Sequence, residues 1–213
     1  MHRKIARKII NENMSIGEKE TLLISAGPKS LGFAEELAYE ASILGAHPII
    51  TYSSSSLLYR IYRDINSRYL KHMPEISRFI ARRVDAQIHI SESDPFIERK
   101  IPQEKIEIKR KARKPVRRIE ERRIIKKDVK IALLGFPTEE LARAMNISFK
   151  KLSRIFWSCL DADYDEIYRF NQRLRRILMN SERVRIVGKD TDLEFSIKGR
   201  EIPVSYTHLT LPT

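Results

Sequence analysis

Few residues in this chain have the type and spacing that chemistry needs. Gly27-Pro28-Lys29-Ser30 stands directly behind an apolar run, Thr21 to Ala26, where a turn ahead of a helix can offer backbone N–H groups to a phosphate. It lacks the upstream glycine and the Gly-Lys-Ser order of a nucleotide loop, so a turn with Ser30 as a helix cap is the reading preferred. Asp190 and Asp192 could chelate a cation, but aspartate serves equally well in a tight hairpin, and the turn is the better expectation. Cys159 sits beside Trp157 near the end of an apolar helical stretch, which predicts a buried, inert thiol rather than a nucleophile. His2, His47, His72, His89 and His208 are never paired at helical spacing, so no local metal site is readable. His47 opens a strand and His89 alternates with Ile88 and Ile90, both compatible with structural roles. There is no dinucleotide glycine fingerprint and no His-Glu-x-x-His. No residue is therefore assigned as catalytic, cofactor-binding or metal-ligating.

The elements that would position a site follow from periodicity. Ile5, Ile9 and Ile10 mark a short amphipathic helix. Apolar runs at Thr21 to Ala26, His47 to Tyr52, Ala86 to Ser91 and Val129 to Gly135 read as strands. Between them lie a helix from Leu31 to Leu44 stopped by Gly45, one following the hydroxyls of Ser53 to Ser56, one from Pro74 to Arg83, and a long basic helix. Short strands alternating with helices predict an α/β fold, a mostly parallel sheet flanked by helices with right-handed crossovers. Thr138 and Ser148 then cap two helices, the first ended by Asn146, and a charged helix runs from Tyr164 to Met179. Arg183 to Val187 and Leu193 to Ile197 alternate as a hairpin does, joined by Gly188 to Asp192. The expected domains are 1–180, an α/β unit; 181–203, the first hairpin of a second, truncated domain; and 204–213, a non-native tail.

Composition bounds the function. The 213 residues are 42% hydrophobic, which excludes disorder as the main state, and one cysteine excludes a disulfide scaffold. The basic N-terminus runs into Asn11, Glu12 and Asn13, and no apolar stretch reaches a membrane-spanning length, so a cytoplasmic protein without membrane partners is expected. The net charge is +13, and residues 99–130 hold 15 Lys or Arg against five Asp or Glu. In that segment Ile108, Ala112, Val116 and Ile119 share one helical face, Pro115 should kink or restart the helix, and Glu107–Lys111 and Glu120–Arg123 have pairing spacing. A solvated, salt-bridged helix is expected, and nucleic acid is disfavoured as partner because 99–130 contain no Phe, Tyr or Trp.

One resemblance goes further. Gly45-Ala46-His47-Pro48, Val84-Asp85-Ala86, the run Phe136-Pro137-Thr138-Glu139-Glu140-Leu141 continuing to Ser148, Gly188-Lys189-Asp190-Thr191-Asp192-Leu193, and Gly199-Arg200 occur in this order. Together they resemble the N-terminal half of the thermophilic metallo-aminopeptidases, the leucyl aminopeptidase or aminopeptidase T type, from residue 1 to about 203. The resemblance implies a cytoplasmic homodimeric exopeptidase acting on peptides with two divalent cations, zinc or cobalt in type, that polarise the scissile carbonyl and supply a hydroxide. It places the cation ligands beyond Gly199 and Arg200, so none is carried onto this chain, and this portion is expected to bind no cation and to be inactive alone. The terminal Tyr206 to Thr213 resembles adapter read-through joined to a truncated gene, which removes His208 from consideration. The alternatives are a basic nucleic-acid-binding domain and a scaffold or dimerisation domain without a site of its own.

Overall fold

The computed structural model of the chain describes residues 2–200 and residue 202; the expected tail, 204–213 with His208, lies outside the described residues. Two compact units are present, dividing after Asp161, so that the helix from Tyr164 groups with the hairpin that follows it.

In the first unit α1 (His2–Arg7) continues into a π-helical turn over Lys8–Asn13. Then come β1 (Thr21–Ala26), α2 (Leu31–Ile43), β2 (His47–Tyr52), α3 (Ser55–Asp64), α4 (Ser67–Leu70) and α5 (Glu75–Arg83). β3 (Ala86–Ser91), α6 (Pro95–Glu98), α7 (Gln103–Ile125), β4 (Lys130–Gly135), α8 (Glu139–Ala144) and α9 (Phe149–Leu160) complete it. The boundaries have local causes. Gly45 and Asn146, the residues at which the sequence ends these helices, carry positive φ, 79° and 54°, and close them in the left-handed conformation. Ser54, Thr138 and Ser148 accept the backbone N–H groups of Leu57, Leu141 and Lys151.

The four strands are all parallel, in the order β2-β1-β3-β4. β1 to β2 steps one way and β2 to β3 crosses back over β1, so right-handed crossovers put α2 on one face and α3 to α5 and α7 on the other. The first face is the core. Leu22, Ile24 and Ala26 of β1 and Ala86, Ile88 and Ile90 of β3 alternate inward and meet Ile5, Ile9, Ile10, Phe33 and Leu37. Burying each of the Leu, Ile and Phe side chains among them contributes roughly 1.5–3 kcal/mol. Trp157 closes one end, with the rings of Phe33, Phe136 and Phe156 at 5.2, 5.9 and 4.8 Å, edge-on. The second face is less covered than a sheet flanked by helices suggests: Leu133 is 57% and Ile49 48% exposed.

The basic helix departs from expectation in two ways. α7 runs continuously through Pro115, whose side chain faces solvent. Its ion pairs are Glu107–Arg110, Arg113–Glu120 and Arg117–Glu121 rather than Glu107–Lys111 and Glu120–Arg123. Arg123 is drawn away because its guanidinium satisfies carbonyls left open at the end of α5, Ala81 at 3.2 Å and Val84 at 2.6 Å. Lys105 does the same at the end of α3, donating to the carbonyls of Arg63 and Ile65. These two cations thus strap α7 across the C-termini of α3 and α5, where positive charge is favoured. The apolar face is as anticipated: Val116 is buried, and Ile108, Ala112 and Ile119 are half-buried.

The second unit holds α10 (Tyr164–Met179), capped by Asp163, and an antiparallel hairpin of β5 (Arg183–Gly188) and β6 (Thr191–Ser196). The hairpin is tighter than the sequence suggests. Gly188 pairs with Thr191 and Val187 with Asp192, leaving Lys189 and Asp190 as the connection and placing Asp192 inside a strand.

Candidate functional site

In an open parallel sheet the place to look is the crevice at the carboxyl ends of the strands where the chain reverses direction, here between β1 and β3. A crevice of about 140 Å³ lies there, lined by Ser25, Gly27, Ser53, Ser54, Ser55, His89, Ser91, Glu92 and Glu98 among others. The loop Gly27 to Ser30 forms one wall. Its conformation corrects the sequence reading, because the Ser30 hydroxyl does not cap α2 but accepts from the Gly27 N–H at 3.1 Å. The Ser30 N–H donates to Glu92 Oε1 at 2.5 Å. A Cβ on Gly27 would lie 2.5 Å from the Glu92 carboxyl carbon, so only glycine lets this carboxylate approach the start of α2. Glu92 therefore sits as a built-in anion where a phosphate would bind, and the positive end of the helix stabilises it. Lys29 is engaged as well, its Nζ 2.5 Å from Glu140, whose carboxyl is held below its usual range first by that contact. The loop is a structural clamp.

The remaining lining groups are also partnered in ways that limit their chemistry. Ser25 Oγ shares a hydrogen bond with Thr51 Oγ1 at 3.0 Å, and Ser54 caps α3. Ser55 donates to the Glu92 carbonyl at 3.2 Å and to Glu98 Oε1 at 3.3 Å, while Ser93 and the Asp94 N–H also donate to Glu98. His89 is exposed at the mouth, with its pKa below the ordinary imidazole value because of partial burial and then the nearby Arg113 guanidinium. Among the described residues it makes no hydrogen bond to a serine, so no Ser–His couple is assembled. The crevice supplies binding geometry without a nucleophile.

The other sequence candidates are dispersed. Cys159 is exposed rather than buried, because helical phase turns Trp157 and Leu160 into the core and carries Cys159 outward. Asp192 accepts two bonds from Arg185, at 2.7 and 2.6 Å, and that contact holds its pKa low; it is a cross-strand ion pair. Asp190 stays in the turn, as the sequence suggests. Among the described residues no group of three or more His, Cys, Asp or Glu is placed to hold a metal ion, so these residues do not fit a pair of cations. Glu92 and Glu98 were missed by sequence reasoning. An acidic residue just past a strand is a weak signal until strand order puts that strand beside β1.

Residues 1–202 match the family described as thermophilic metalloprotease (M29). The chain belongs to that family. Its fold is that of wild-type AmpT from Thermus thermophilus, with TM-score 0.72 at 19% identity, covering 92% of this chain and 53% of that one. The chain thus spans about half the length of that relative. A LacI-family transcription repressor from Corynebacterium glutamicum aligns over 75% of this chain and 55% of that one at 14% identity, with a TM-score of 0.31 too low to indicate a shared fold. No curated protein sequence matches. As an M29 member the chain is related to metallo-aminopeptidases, a family that uses divalent metal and acts on peptides. No helix among the described residues is long and apolar enough to cross a membrane.

Proposed function

We propose that this chain is the N-terminal portion of a metal-dependent aminopeptidase that removes N-terminal residues from peptides, and that it is inactive alone. The reading extends to a cytoplasmic homodimer holding two divalent cations of zinc or cobalt type in a half that lies beyond residues 1–203. The observation that carries it is the M29 match over residues 1–202 joined to an AmpT-like fold that covers only 53% of AmpT. The chemistry of the described residues supports it. Two-metal hydrolysis needs clustered carboxylates and histidines, and the carboxylates assembled in the crevice and its walls accept from backbone N–H groups, serine hydroxyls and a lysine. The role left to this chain is that of a scaffold, and no hydrolytic step is assigned to its residues.

The test is release of leucine from leucinamide by the purified chain with added zinc or cobalt. No metal-dependent turnover is expected, and turnover that survives further purification would refute the inactive half. An adapter-free long read of the source locus past Ile202 completes the test. A frame continuing into a Glu- and His-rich segment supports the truncation, and a genuine stop after Thr213 removes it.

A further inference from the structure

The cations of α7 divide into two sets. The helix carries ten Lys or Arg and four Asp or Glu. Lys105 and Arg123 are held by carbonyls at helix ends, Lys109 reaches the His72 carbonyl, and Arg110, Arg113 and Arg117 are in ion pairs. Lys111, Lys114, Arg118 and Arg122 are exposed, and among the described residues their side chains make no hydrogen bond or ion pair. Steps of three, four and four residues set these four in one row along the helix, about 16 Å long at 1.5 Å per residue. Unneutralised cations in a row are an electrostatic template for a chain of phosphates.

Charge alone is not recognition. The expectation against nucleic acid rested on the lack of aromatic residues in 99–130, and the tertiary structure changes that count. α4 and α5 both pack on α7. They bring Tyr69, 61% exposed, and Phe79, 58% exposed, to the helical layer that carries the row. Arg68 lies 4.7 Å from the Tyr69 ring centre and Arg83 5.9 Å from that of Phe79, and Arg78 and Arg82 add two more exposed cations on α5. Exposed rings bordered by arginine, on helices that pack against the one carrying the free cations, are the elements single-strand binders combine: phosphates track the charge and bases stack on the rings.

We propose that this face, the α7 row with Tyr69 and Phe79, binds single-stranded nucleic acid without sequence preference. The proposal is independent of the peptidase reading. The test uses the whole chain and a fluorescein-labelled oligothymidylate of about twenty nucleotides, longer than a typical single-strand site. Polarisation should show saturable binding whose logarithm falls linearly with the logarithm of salt, with a slope of about −0.7 per phosphate contacted. Replacing Lys111, Lys114, Arg118 and Arg122 together by Ala should reduce that slope by about 3. Tyr69→Ala and Phe79→Ala should each weaken binding about tenfold and leave the slope unchanged, a split that charge alone does not produce. A control variant removes Lys150, Lys151 and Arg154, exposed cations of α9, the helix that helps close the opposite core, and should bind as the parent does. Absent binding at low salt, an unchanged slope in the four-site variant, or an equal loss in the α9 variant would overturn the proposal. So would equal affinity for polyglutamate or for phosphatidylserine vesicles, which would assign the face to polyanions or membranes in general.

Discussion

Glu40 offers a sharp test of how the N-terminal helix is held. Its side chain is 3% exposed on α2, and its two oxygens accept from Arg3 Nε at 2.9 Å and Arg7 Nε at 3.1 Å, which clasps α1 to α2. Burial raises its pKa, but the two arginine hydrogen bonds outweigh that and leave it below the usual glutamate range. The arginine side chains are 53% and 59% exposed, so the arrangement is asymmetric. Glu40→Gln frees two arginines that water can solvate, at a cost of about 1 kcal/mol. Replacing both Arg3 and Arg7 by Ala instead strands a buried carboxylate. That should destabilise by about 3 kcal/mol, the low end for a broken buried pair because water reaches the vacated side. For a chain of this size the double variant should melt roughly 6–12 °C lower than the parent. The pH dependence has a definite sign. A depressed folded-state pKa means that the contribution of Glu40 is complete above the unfolded value, about 4.3, and is lost as pH falls through the folded value. The gap between the parent and Glu40→Gln should therefore be constant from neutral pH to about 5 and close below it. Thermal melts by circular dichroism across that range measure both effects. If Glu40→Gln costs as much as the double arginine variant, or the gap ignores pH, the clasp is not electrostatic.

Two further outcomes follow from the fold. Gly27→Ala should cost about 1 kcal/mol, chiefly by pushing Glu92 off the Ser30 N–H, so Gly27→Ala combined with Glu92→Ala should be hardly worse than Glu92→Ala alone in urea unfolding; simple additivity would count against the built-in anion. Pro115→Ala should raise stability by about 1–3 kcal/mol, because an exposed proline in mid-helix forgoes a backbone hydrogen bond; a lower unfolding midpoint would show that Pro115 is needed where it stands.

Sequence periodicity located the strands of both units and most helix ends, because a strand's alternation, a capping Thr138 or a left-handed Gly45 and Asn146 are decided by a residue and its near neighbours. The ordered motifs from Gly45 to Arg200 likewise carried the family, since they are local strings. Partnership over distance was not legible. That Glu92 meets Ser30 depends on β3 lying beside β1, and the same alternation of strands and helices is compatible with other strand orders. Arg123 was free to pair with Glu120 on helical spacing alone until α5 presented open carbonyls that bind a guanidinium better. Cys159 and its neighbours are apolar enough to suggest burial throughout, and only the packing of α9 set which side of the helix faces the core. Whether four cations in a row meet aromatic rings is likewise decided by which helices pack on α7, because charge and ring come from segments some thirty to fifty residues apart. The sequence by itself determined the elements and the family, through contacts within a few residues. The tertiary structure alone decided which charges neutralise each other and which stay exposed, because an ion pair depends on distance in space.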